Sequence, residues 1–504
     1  MTSPAHEMNA WLEQLPATER DALARRYAAA TAGGGAVVHK PDGEIIPIPP
    51  ILSPEALSQE RRDTMAADGH LLVVALGRLT AWLMTDAGRE GRARLFGGFT
   101  PLESAGLEVW RHAERLATAR VDYFLDGAGR ARALEVNATI PAMQGYSDIV
   151  AESFLREVGA MRGHDAAAIA RLVDGNGRNT DDLLAALVEH HRRFVRRDEE
   201  RPLRMAIVHR PGDAQIGELR HYVRRFSELG HEVTLCTPEA LQIDPVGRAR
   251  LLLQGRPLDL VYRHIFARRL DPTCDLAHAL LQPEVFPIFN PLSSHFEVKG
   301  MLGYISAAMA PDGAALAAAL GLGIEEQEAI ARILPWTRIL LSGPTHGPTG
   351  ERIADLVETV AGEPERFVIK RSWDYGGKSV FLGLAHDDAA AHRAGEVMGP
   401  GHEQPLSWHA LVHAAARDPR DAWVVQEFVR TPERRLLLAG PHGAAWHEFY
   451  VDLSLYTNLG VDARPRGGAT RASASRIVNI LGGGGLAPLV REDVLAHLLS
   501  GPRG

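Results

Sequence analysis

The stretch MAIVHRPGDAQIGELRHYVRRFSELGHEVTLCTP (205–238) decides the fold class of this chain. It begins with an apolar run typical of a buried strand, which leads into a glycine-containing loop. A helical segment and a turn follow, and the stretch ends with a second strand, EVTLC (232–236). Strand, helix and strand in this order predict a βαβ unit, and therefore an α/β protein with a parallel sheet flanked by helices. DLVYRHIF (259–266) is predicted to be another strand of this sheet.

The segments on either side of this unit add further strands and helices. Before it, RVDYFL (120–125), DGAG (126–129) and RARALEVN (130–137) alternate as strand, turn and strand, which predicts a β-hairpin. After it, residues 306–333 are Ala-rich and are predicted to be helical. The rest of the chain mixes strands with a helix near 405–417.

Proline and charge patterns give the predicted boundaries. PDGEIIPIPPILSPEAL (41–57) carries five prolines in 17 residues, which predicts an extended surface crossing. Ser53–Pro54 is predicted to begin the next helix. The charged segment HHRRFVRRDEERP (190–202) is a candidate linker. These patterns divide the chain into residues 1–200, 201–295 and 296–504.

Composition excludes several classes of protein. The chain has 504 residues, 45% hydrophobic and 23% charged, which is ordinary globular composition with room for several packed units. Its net charge of −8 gives no basic surface for nucleic acid or an anionic membrane. Cys236 and Cys274 cannot form a four-thiolate zinc site, and the 22 histidines show no paired metal spacing. The N-terminus lacks a secretion signal and the apolar stretch Leu71–Met84 is too short to span a bilayer, so a cytoplasmic protein is expected.

Polar side chains alternate along the predicted hairpin. If the turn has two or four residues, Asp122 faces Ala133, and Arg120, Glu135 and Asn137 share their face of the hairpin. A three-residue turn would scatter this set. Two carboxylates and an amide oxygen are suitable ligands for Mg²⁺, and the arginine beside them could hold an anion. The alternative is a solvated face with an ordinary salt bridge.

A lysine ends the predicted strand in RFVIKRSWDYGGKSVFLG (366–383), and a glycine turn follows it. The ammonium group of Lys370 and the turn residues Gly376, Gly377 and Ser379 could bind phosphate. GGKS is not a P-loop, because the first glycine of that motif is missing. The alternative is a plain hairpin with surface lysines.

A third segment, AWVVQEFVRTPERR (422–435), consists of an apolar strand and a charged turn. Residues at the end of such a strand, here Gln426, Glu427 and Val429, can pair with the edge of an adenine. A carboxylate that follows, here Glu433, can accept ribose hydroxyl groups. Taken alone, the segment could equally be an edge strand that ends in a charged turn.

Together, these three segments resemble the ATP-grasp superfamily of carboxylate–amine ligases. In that superfamily an Arg-x-Asp strand precedes a Glu-x-Asn strand, as RVD (120–122) precedes EVN (135–137) here. A further lysine, in FNPLSSHFEVKGMLGYIS (289–306), resembles the earlier phosphate lysine of the superfamily. The resemblance implies metal ligation by Asp122, Glu135 and Asn137, phosphate binding by Lys299 and Lys370, adenine binding by Gln426, Glu427 and Val429, and ribose binding by Glu433.

The order of the segments is similar to that of the circularly permuted ATP-grasp branch, which includes glutathionylspermidine-synthase-like proteins. The metal strands come first here, whereas they usually come last. LEVNATIPAMQGYSD (134–148) and RGGATRASAS (466–475) resemble segments of that branch. The resemblance implies a permuted ATP-grasp fold: its metal-binding half in 1–200, a Rossmann-like pre-ATP-grasp domain inserted at 201–295, and its ATP-binding lobe in 296–504. The segment from about Trp446 to Asn479 is then expected to complete one sheet with the hairpin.

The same resemblance implies an ATP-dependent ligase that joins small-molecule or peptide carboxylates to amines. The carboxylate would attack ATP to give an acylphosphate, which the amine displaces, with ADP and phosphate as products. Mg²⁺, or Mn²⁺ in its place, would accompany ATP. Arg120 would stabilise the tetrahedral intermediate. Arg471 is a second candidate for that role, with a surface arginine in a glycine-rich loop as the alternative.

Two other functions compete with the ligase. Residues 205–238 also resemble the first βαβ unit of two-domain sugar-nucleotide glycosyltransferases. That class requires a second nucleotide-binding Rossmann domain after residue 300 and leaves Lys370 and the hairpin unexplained. The other competitor is an ATP-grasp-like protein that binds nucleotide without catalysis.

Overall fold

The structure of the chain is a computed structural model that describes residues 3–110, 115–196, 201–247, 249–374, 377–402, 404–480 and 484–501. None of the helices in these ranges offers an apolar stretch that could span a lipid bilayer. The first part of the chain is mostly helical and contains one long hairpin. Its elements are α1 (Pro4–Gln14), α2 (Ala17–Gly34), β1 (Val37–His39), β2 (Ile45–Pro47), β3 (Glu55–Leu57), α3 (Gln59–Leu83), α4 (Arg89–Phe96), α5 (Pro101–Trp110), β4 (Ala119–Leu125), β5 (Ala131–Asn137), α6 (Gln144–Met161), α7 (Ala166–Asn176) and α8 (Asn179–Val195).

Residues 204–289 contain the predicted parallel sheet and, beside it, a small antiparallel sheet of three short strands. The strands of the parallel sheet pair in the order β12, β11, β6, β7, all parallel. One face of β6 packs against α8 and α9, and the other against α10, which is why this strand is an almost continuous apolar run. The elements are β6 (Arg204–His209), α9 (Ile216–Glu228), β7 (Glu232–Cys236), β8 (Leu241–Ile243), β9 (Leu251–Leu253), β10 (Arg256–Pro257), β11 (Leu260–His264), α10 (Asp275–Leu280) and β12 (Ile288–Phe289).

The rest of the chain forms antiparallel sheets covered by helices. Its elements are α11 (Lys299–Ala308), α12 (Ala314–Ala319), α13 (Ile324–Ile333), β13 (Thr337–Ile339), β14 (Thr345–His346), β15 (Arg352–Ile353), α14 (Leu356–Gly362), β16 (Phe367–Arg371), β17 (Val380–Leu382), α15 (Asp388–Met398), α16 (Trp408–Ala416), β18 (Trp423–Glu427), β19 (Arg434–Gly440), β20 (Gly443–Thr457), β21 (Gly468–Ser473), β22 (Gly485–Ala487), β23 (Leu489–Arg491) and α17 (Glu492–Leu499). Of the strands described here, only β23 pairs in parallel, with β3. The second Rossmann domain that a glycosyltransferase requires is therefore not found in the described residues after 300.

A four-stranded sheet in the order β13, β18, β16, β17 has two different faces. Alternate residues such as Phe367 and Ile369 pack with α14 and α16 in an apolar core. Because neighbouring side chains of a strand point to opposite faces, Val368, Lys370 and Gln426 lie on the other side. This second face is one wall of the candidate site.

The N-terminal hairpin and the C-terminal strands belong to one six-stranded antiparallel sheet. Its order is β22, β21, β20, β4, β5, with β19 paired to β20. Asp122 on β4 lies opposite Ser454 on β20. The prediction that the segment from about 446 to 479 lies beside the hairpin is confirmed by this pairing. Val121, Leu453 and Leu455 share an apolar core with α3, which holds these distant segments together.

The Pro-rich segment 41–57 differs from its prediction. It is not a surface crossing throughout, because residues 51–53 are fully buried. Pro50 bridges to Leu486, and Ile51 to Leu438. The segment is thus a structural part of the six-stranded half of the molecule.

The predicted helix start at Ser53–Pro54 is also wrong. Residues Glu55–Leu57 form β3, which pairs with β23. The helix begins at Gln59, where the Ser58 hydroxyl accepts the Arg61 N–H at 3.2 Å. The local capping signal was overridden by a strand partner that lies more than 400 residues further along the chain.

Candidate functional site

The hairpin turn and a bulge set the register of the polar residues. Asp122 pairs with Glu135, and Arg120 pairs with Asn137. All four side chains therefore share one face, as the alternation predicted.

The predicted pairing of Asp122 with Ala133 is wrong for two reasons: Leu125 pairs with Ala131 across an odd-numbered turn, and the ladder then contains a β-bulge. The turn alone would place Asp122 opposite Leu134 and scatter the polar set, and the bulge brings Glu135 back opposite Asp122. Ala133 pairs with Tyr123, and Leu134 is skipped. Ala133 therefore packs in the core beside Tyr123, while Leu134 and Glu135 both line the opposite side. The bulge places one carboxylate and one apolar side chain next to each other in the site.

A cleft lies between the six-stranded sheet and the four-stranded sheet, with about 1070 Å³ of empty space including its open mouth. It is large enough for a ligand of nucleotide size. Strands β4, β5, β20 and β21 supply one wall, and β16, β17 and β18 supply the other. The lining includes these predicted residues: Arg120, Asp122, Glu135, Asn137, Lys370, Gly377, Gln426, Glu427, Val429 and Arg471.

The Asp122 carboxylate is the centre of a buried charge network. It accepts two hydrogen bonds from Arg120, at 2.7 and 2.9 Å, and one from Arg471 at 3.0 Å. Ser454 and Asn137 donate to it at 2.8 and 3.2 Å. Burial raises the pKa of Asp122, but the two guanidinium groups outweigh burial and lower it to about 2. The carboxylate therefore stays ionised and fixes both arginines.

Asp452 is a site residue that the sequence prediction missed. It lies on β20 and pairs with Arg471, which donates to its carboxylate through Nε at 3.0 Å and also through Nη2. Burial raises the pKa of Asp452 and the guanidinium opposes that rise. The available signal was a single aspartate inside the apolar run FYVDLSLY (449–456), since a buried charge requires a partner.

Two lysines from different elements converge on this end of the cleft. Lys370 Nζ donates to Gln426 Oε1 at 2.8 Å and to the Leu134 carbonyl at 3.4 Å. Burial lowers the pKa of Lys370 to about 8; Glu135 opposes this effect and Lys299 adds to it. Lys299, at the start of α11, is buried and lies 3.5 Å from a Glu135 carboxylate oxygen. The two ammonium groups thus meet the hairpin from different elements, Lys370 from β16 of the opposite sheet and Lys299 from α11.

The structure describes part of the glycine turn that follows β16. Gly377 lines the cleft with φ +72°, and a Cβ there would approach Ile477 to 2.7 Å, so the position favours glycine. Gly376 lies outside the described residues. Ser379 is buried and is not among the lining residues; its hydroxyl bonds the Asp374 carboxylate and thereby fixes the turn.

The end of β18 and the residues that follow it also line the cleft. The Glu427 carboxylate accepts hydrogen bonds from Arg132 at 2.5 Å and from the Trp336 N–H at 3.2 Å. Its side chain therefore has a structural role, and a ligand could be bound only through its backbone groups. Glu433 is exposed, and its carboxylate accepts the hydroxyl of Tyr450, which lines the cleft.

Arg476 is a second residue that the sequence prediction missed. Its guanidinium lies 4.9 Å from the ring centroid of Tyr450 and 6.0 Å from that of Phe428. Such a cation over two rings supplies positive charge and a flat surface to a ligand. No local motif marks it.

The oxygen donors of the hairpin fit a small divalent cation. Mg²⁺ is usually held by one or two carboxylates together with phosphate oxygens and water. The Glu135 side chain is 33% exposed, and its ion pair with Lys299 is longer than a hydrogen bond. Asp122 already shares its oxygens among five donors. The set therefore fits an ion bound chiefly through Glu135 and Asn137.

Comparison with known proteins relates the chain to others by structure and not by sequence. No protein-family model and no curated protein sequence matches it. A protein from Methylobacillus flagellatus named "putative gamma-glutamylcysteine synthetase" is 12% identical over 84% of this chain and 88% of its own, with a TM-score of only 0.38. A glutathione synthetase-like effector from Globodera pallida, in its apo form, is also 12% identical. It matches 95% of this chain and 98% of its own with a TM-score of 0.60, so the chain shares the fold of that effector over almost its whole length.

Proposed function

We propose that the protein is an ATP-dependent carboxylate–amine ligase with a circularly permuted ATP-grasp fold. The observation that carries this proposal is the cleft itself. It unites Lys370 with Asp122, Glu135 and Asn137, although the entire parallel-sheet region (204–289) separates them in sequence. In this proposal the parallel sheet is the inserted pre-ATP-grasp domain.

The charges and shape of the cleft support ATP as the ligand. Lys299 and Lys370 would neutralise the phosphates, since ammonium groups in a partly buried site bind such anions strongly. Gln426 and Val429 would contact the adenine, with Tyr450 and Arg476 beside it. Glu433 is exposed and has the least support among the proposed ATP-binding residues. To contact the ribose, its carboxylate would have to give up the hydrogen bond from the Tyr450 hydroxyl.

Mg²⁺, or Mn²⁺ in its place, would be held by Glu135 and Asn137 with a contribution from Asp122, and would supply charge neutralisation for the phosphates. The main role of Asp122 is to anchor the two arginines and not to bind metal. It holds the guanidinium groups of Arg120 and Arg471 at fixed positions in the cleft wall.

The reaction needs no nucleophile from the protein. The substrate carboxylate attacks the γ-phosphorus and ADP leaves, which gives an acylphosphate. The amine then attacks the acyl carbon and phosphate leaves, while the amine loses its proton. Arg120 and Arg471, fixed before the reaction, would stabilise the negative oxygen of the tetrahedral intermediate. Small-molecule or peptide carboxylates and amines are the proposed substrates.

Product analysis tests this function directly. The purified protein, ATP and Mg²⁺ should release ADP and phosphate when a suitable acid and amine are both present, as found by screening amino acids, polyamines and short peptides. AMP and pyrophosphate as products would contradict the acylphosphate route. Tight ATP binding without turnover on any pair would favour the non-catalytic nucleotide-binding protein instead.

The lowered pKa of Lys370 predicts a pH dependence of ATP binding. As the pH rises through about 8, Lys370 loses its charge in the free protein. Because bound phosphate favours the ammonium form, binding should take up a proton above about pH 8 and weaken by at most about tenfold per pH unit. Calorimetric titrations in two buffers of different ionisation enthalpy measure this uptake. Constant affinity without proton uptake between about pH 7 and 9.5 would contradict the role of Lys370.

A further inference from the structure

Away from the cleft, the two helices that cover the outer face of the four-stranded sheet carry a group of metal-ligating side chains. Glu358 lies on α14, and His409 and His413 lie on α16. One possible ligand atom from each residue lies within 4.8 Å of the other two. The histidines are one helical turn apart in HALVH (409–413), so they share one side of α16. The prediction that the histidines show no paired spacing is wrong at this position.

We propose that Glu358, His409 and His413 bind a transition-metal ion of the Zn²⁺ type. Two imidazole nitrogens and one carboxylate oxygen are a typical zinc donor set, and a water molecule can fill the fourth position. Imidazole suits zinc and its neighbours in the transition series, whereas Mg²⁺ and Ca²⁺ prefer oxygen ligands. The site is thus chemically distinct from the oxygen-lined corner of the cleft.

His413 shows why this group differs from an ordinary surface cluster. Its Nε2 is shielded from solvent and has no hydrogen-bond partner in the part of the chain that the structure describes. The Glu358 carboxylate lies 3.7 Å away, too far for a hydrogen bond. A shielded nitrogen without a partner costs free energy, and a metal ion would remove that cost.

The two helices already hold the ligands close to the required geometry. The Trp408 indole N–H donates to the Val360 carbonyl at 2.8 Å, which fixes α16 against α14. The ring centroids of His409 and His413 are 4.5 Å apart. Zinc–ligand bonds of about 2.0–2.1 Å place tetrahedral ligand atoms about 3.3 Å apart. Side-chain rotations alone can therefore close the site.

The proposed metal site lies on the side of the four-stranded sheet that faces away from the cleft. α14 and α16 pack on the face of β16 and β18 opposite to Lys370 and Gln426. An ion that joins the two helices would stabilise this lobe without contacting the cleft.

The test is titration of the full chain with Zn²⁺, followed by calorimetry and by thermal unfolding. Wild-type protein should bind one ion at this site and unfold at a higher temperature with Zn²⁺ present. The double variant H409A/H413A should lose this binding and this shift, and E358Q should weaken it by roughly tenfold or more, since even outer partners of metal ligands are worth about 10–100-fold in affinity. Co²⁺ in place of Zn²⁺ should give a visible spectrum that the double variant lacks.

His442→Ala is the matched control, because His442 is an exposed histidine on the β19–β20 turn of the other sheet. It should bind Zn²⁺ as the wild type does. Circular dichroism of each variant without metal checks that the fold is kept. Equal zinc affinity in H409A/H413A, or no stoichiometric binding by the wild type, would overturn the proposal, whether or not the protein is a ligase.

Discussion

Replacing Lys370 with methionine is expected to weaken ATP binding strongly while making the unliganded protein more stable. Lys370 is buried, and in place of water its ammonium group donates to Gln426 and to the Leu134 carbonyl. Methionine keeps the length of the side chain without its charge. A hydrogen bond between charged groups is worth about 1.5–3 kcal/mol, so the affinity for ATP should fall by roughly 10–150-fold for each hydrogen bond to phosphate that the substitution removes.

The gain in stability follows from the direction of the pKa shift. Burial lowers the pKa of Lys370 from its ordinary 10.5 to about 8. Each pKa unit corresponds to about 1.4 kcal/mol, so removing the charge stabilises the fold at neutral pH by up to about 3 kcal/mol, less the contribution of the hydrogen bond to Gln426. Between about pH 8 and 10.5, Lys370 is more often protonated in the unfolded chain than in the folded protein. The contribution of Lys370 to the free energy of unfolding of the wild type should therefore rise with pH in this range. Lys370→Met should lack this rise.

Urea unfolding and calorimetric ATP titration measure the two effects separately. Lys40→Met is the control, because Lys40 is an exposed lysine on the β1–β2 hairpin and does not line the cleft. It should leave the free energy of unfolding and the ATP affinity nearly unchanged. If Lys370→Met binds ATP as the wild type does, Lys370 does not belong to the site.

Asp122→Asn is expected to destabilise the protein strongly, whereas Glu135→Gln is not. Asp122 is 1% exposed and neutralises Arg120 and Arg471 together. Its removal leaves Arg120 as a buried charge without its carboxylate, which typically costs about 3–5 kcal/mol. Asp452 still pairs with Arg471, so the lower end of this range is expected here.

Glu135 provides the matched comparison, because it lies directly opposite Asp122 on the same hairpin and carries the same charge. Its side chain is partly exposed, its contact with Lys299 is longer than a hydrogen bond, and Lys299 keeps its hydrogen bond to the Asp374 carbonyl. Glu135→Gln should therefore lower the free energy of unfolding by clearly less than Asp122→Asn does. It should instead raise the Mg²⁺ concentration needed for activity. Equal losses of stability in the two variants would contradict the division between arginine anchor and metal ligand. So would an Asp122→Asn protein that excess Mg²⁺ restores fully.

Local patterns in the sequence predicted the elements of this fold well. Strand residues alternate between two environments, so Arg120 and Asp122 could be assigned to one face of their strand, and Glu135 and Asn137 to one face of theirs. Whether the two faces coincide depended on the turn and the bulge. The βαβ unit at 205–238 was predicted in the same way, because periods of two and 3.6 residues depend only on neighbours in the chain. Where a local signal competed with a distant partner it failed, as at Ser53–Pro54, where pairing with β23 replaced the helix.

By itself, the sequence determined most of the strands and helices and which polar side chains share a face within one strand, because these properties depend on backbone geometry over a few residues. Only the tertiary structure decided which faces meet. Asp122 and Arg471 are 349 residues apart, and Glu358 joins the histidine pair from another helix. The bulge at Leu134 likewise depends on how β5 fits β4 within a sheet that the C-terminal strands complete. Such contacts form because the packing of the whole core offsets the entropy that is lost when long loops close. A short segment of sequence cannot predict them, because both contributions depend on the entire chain.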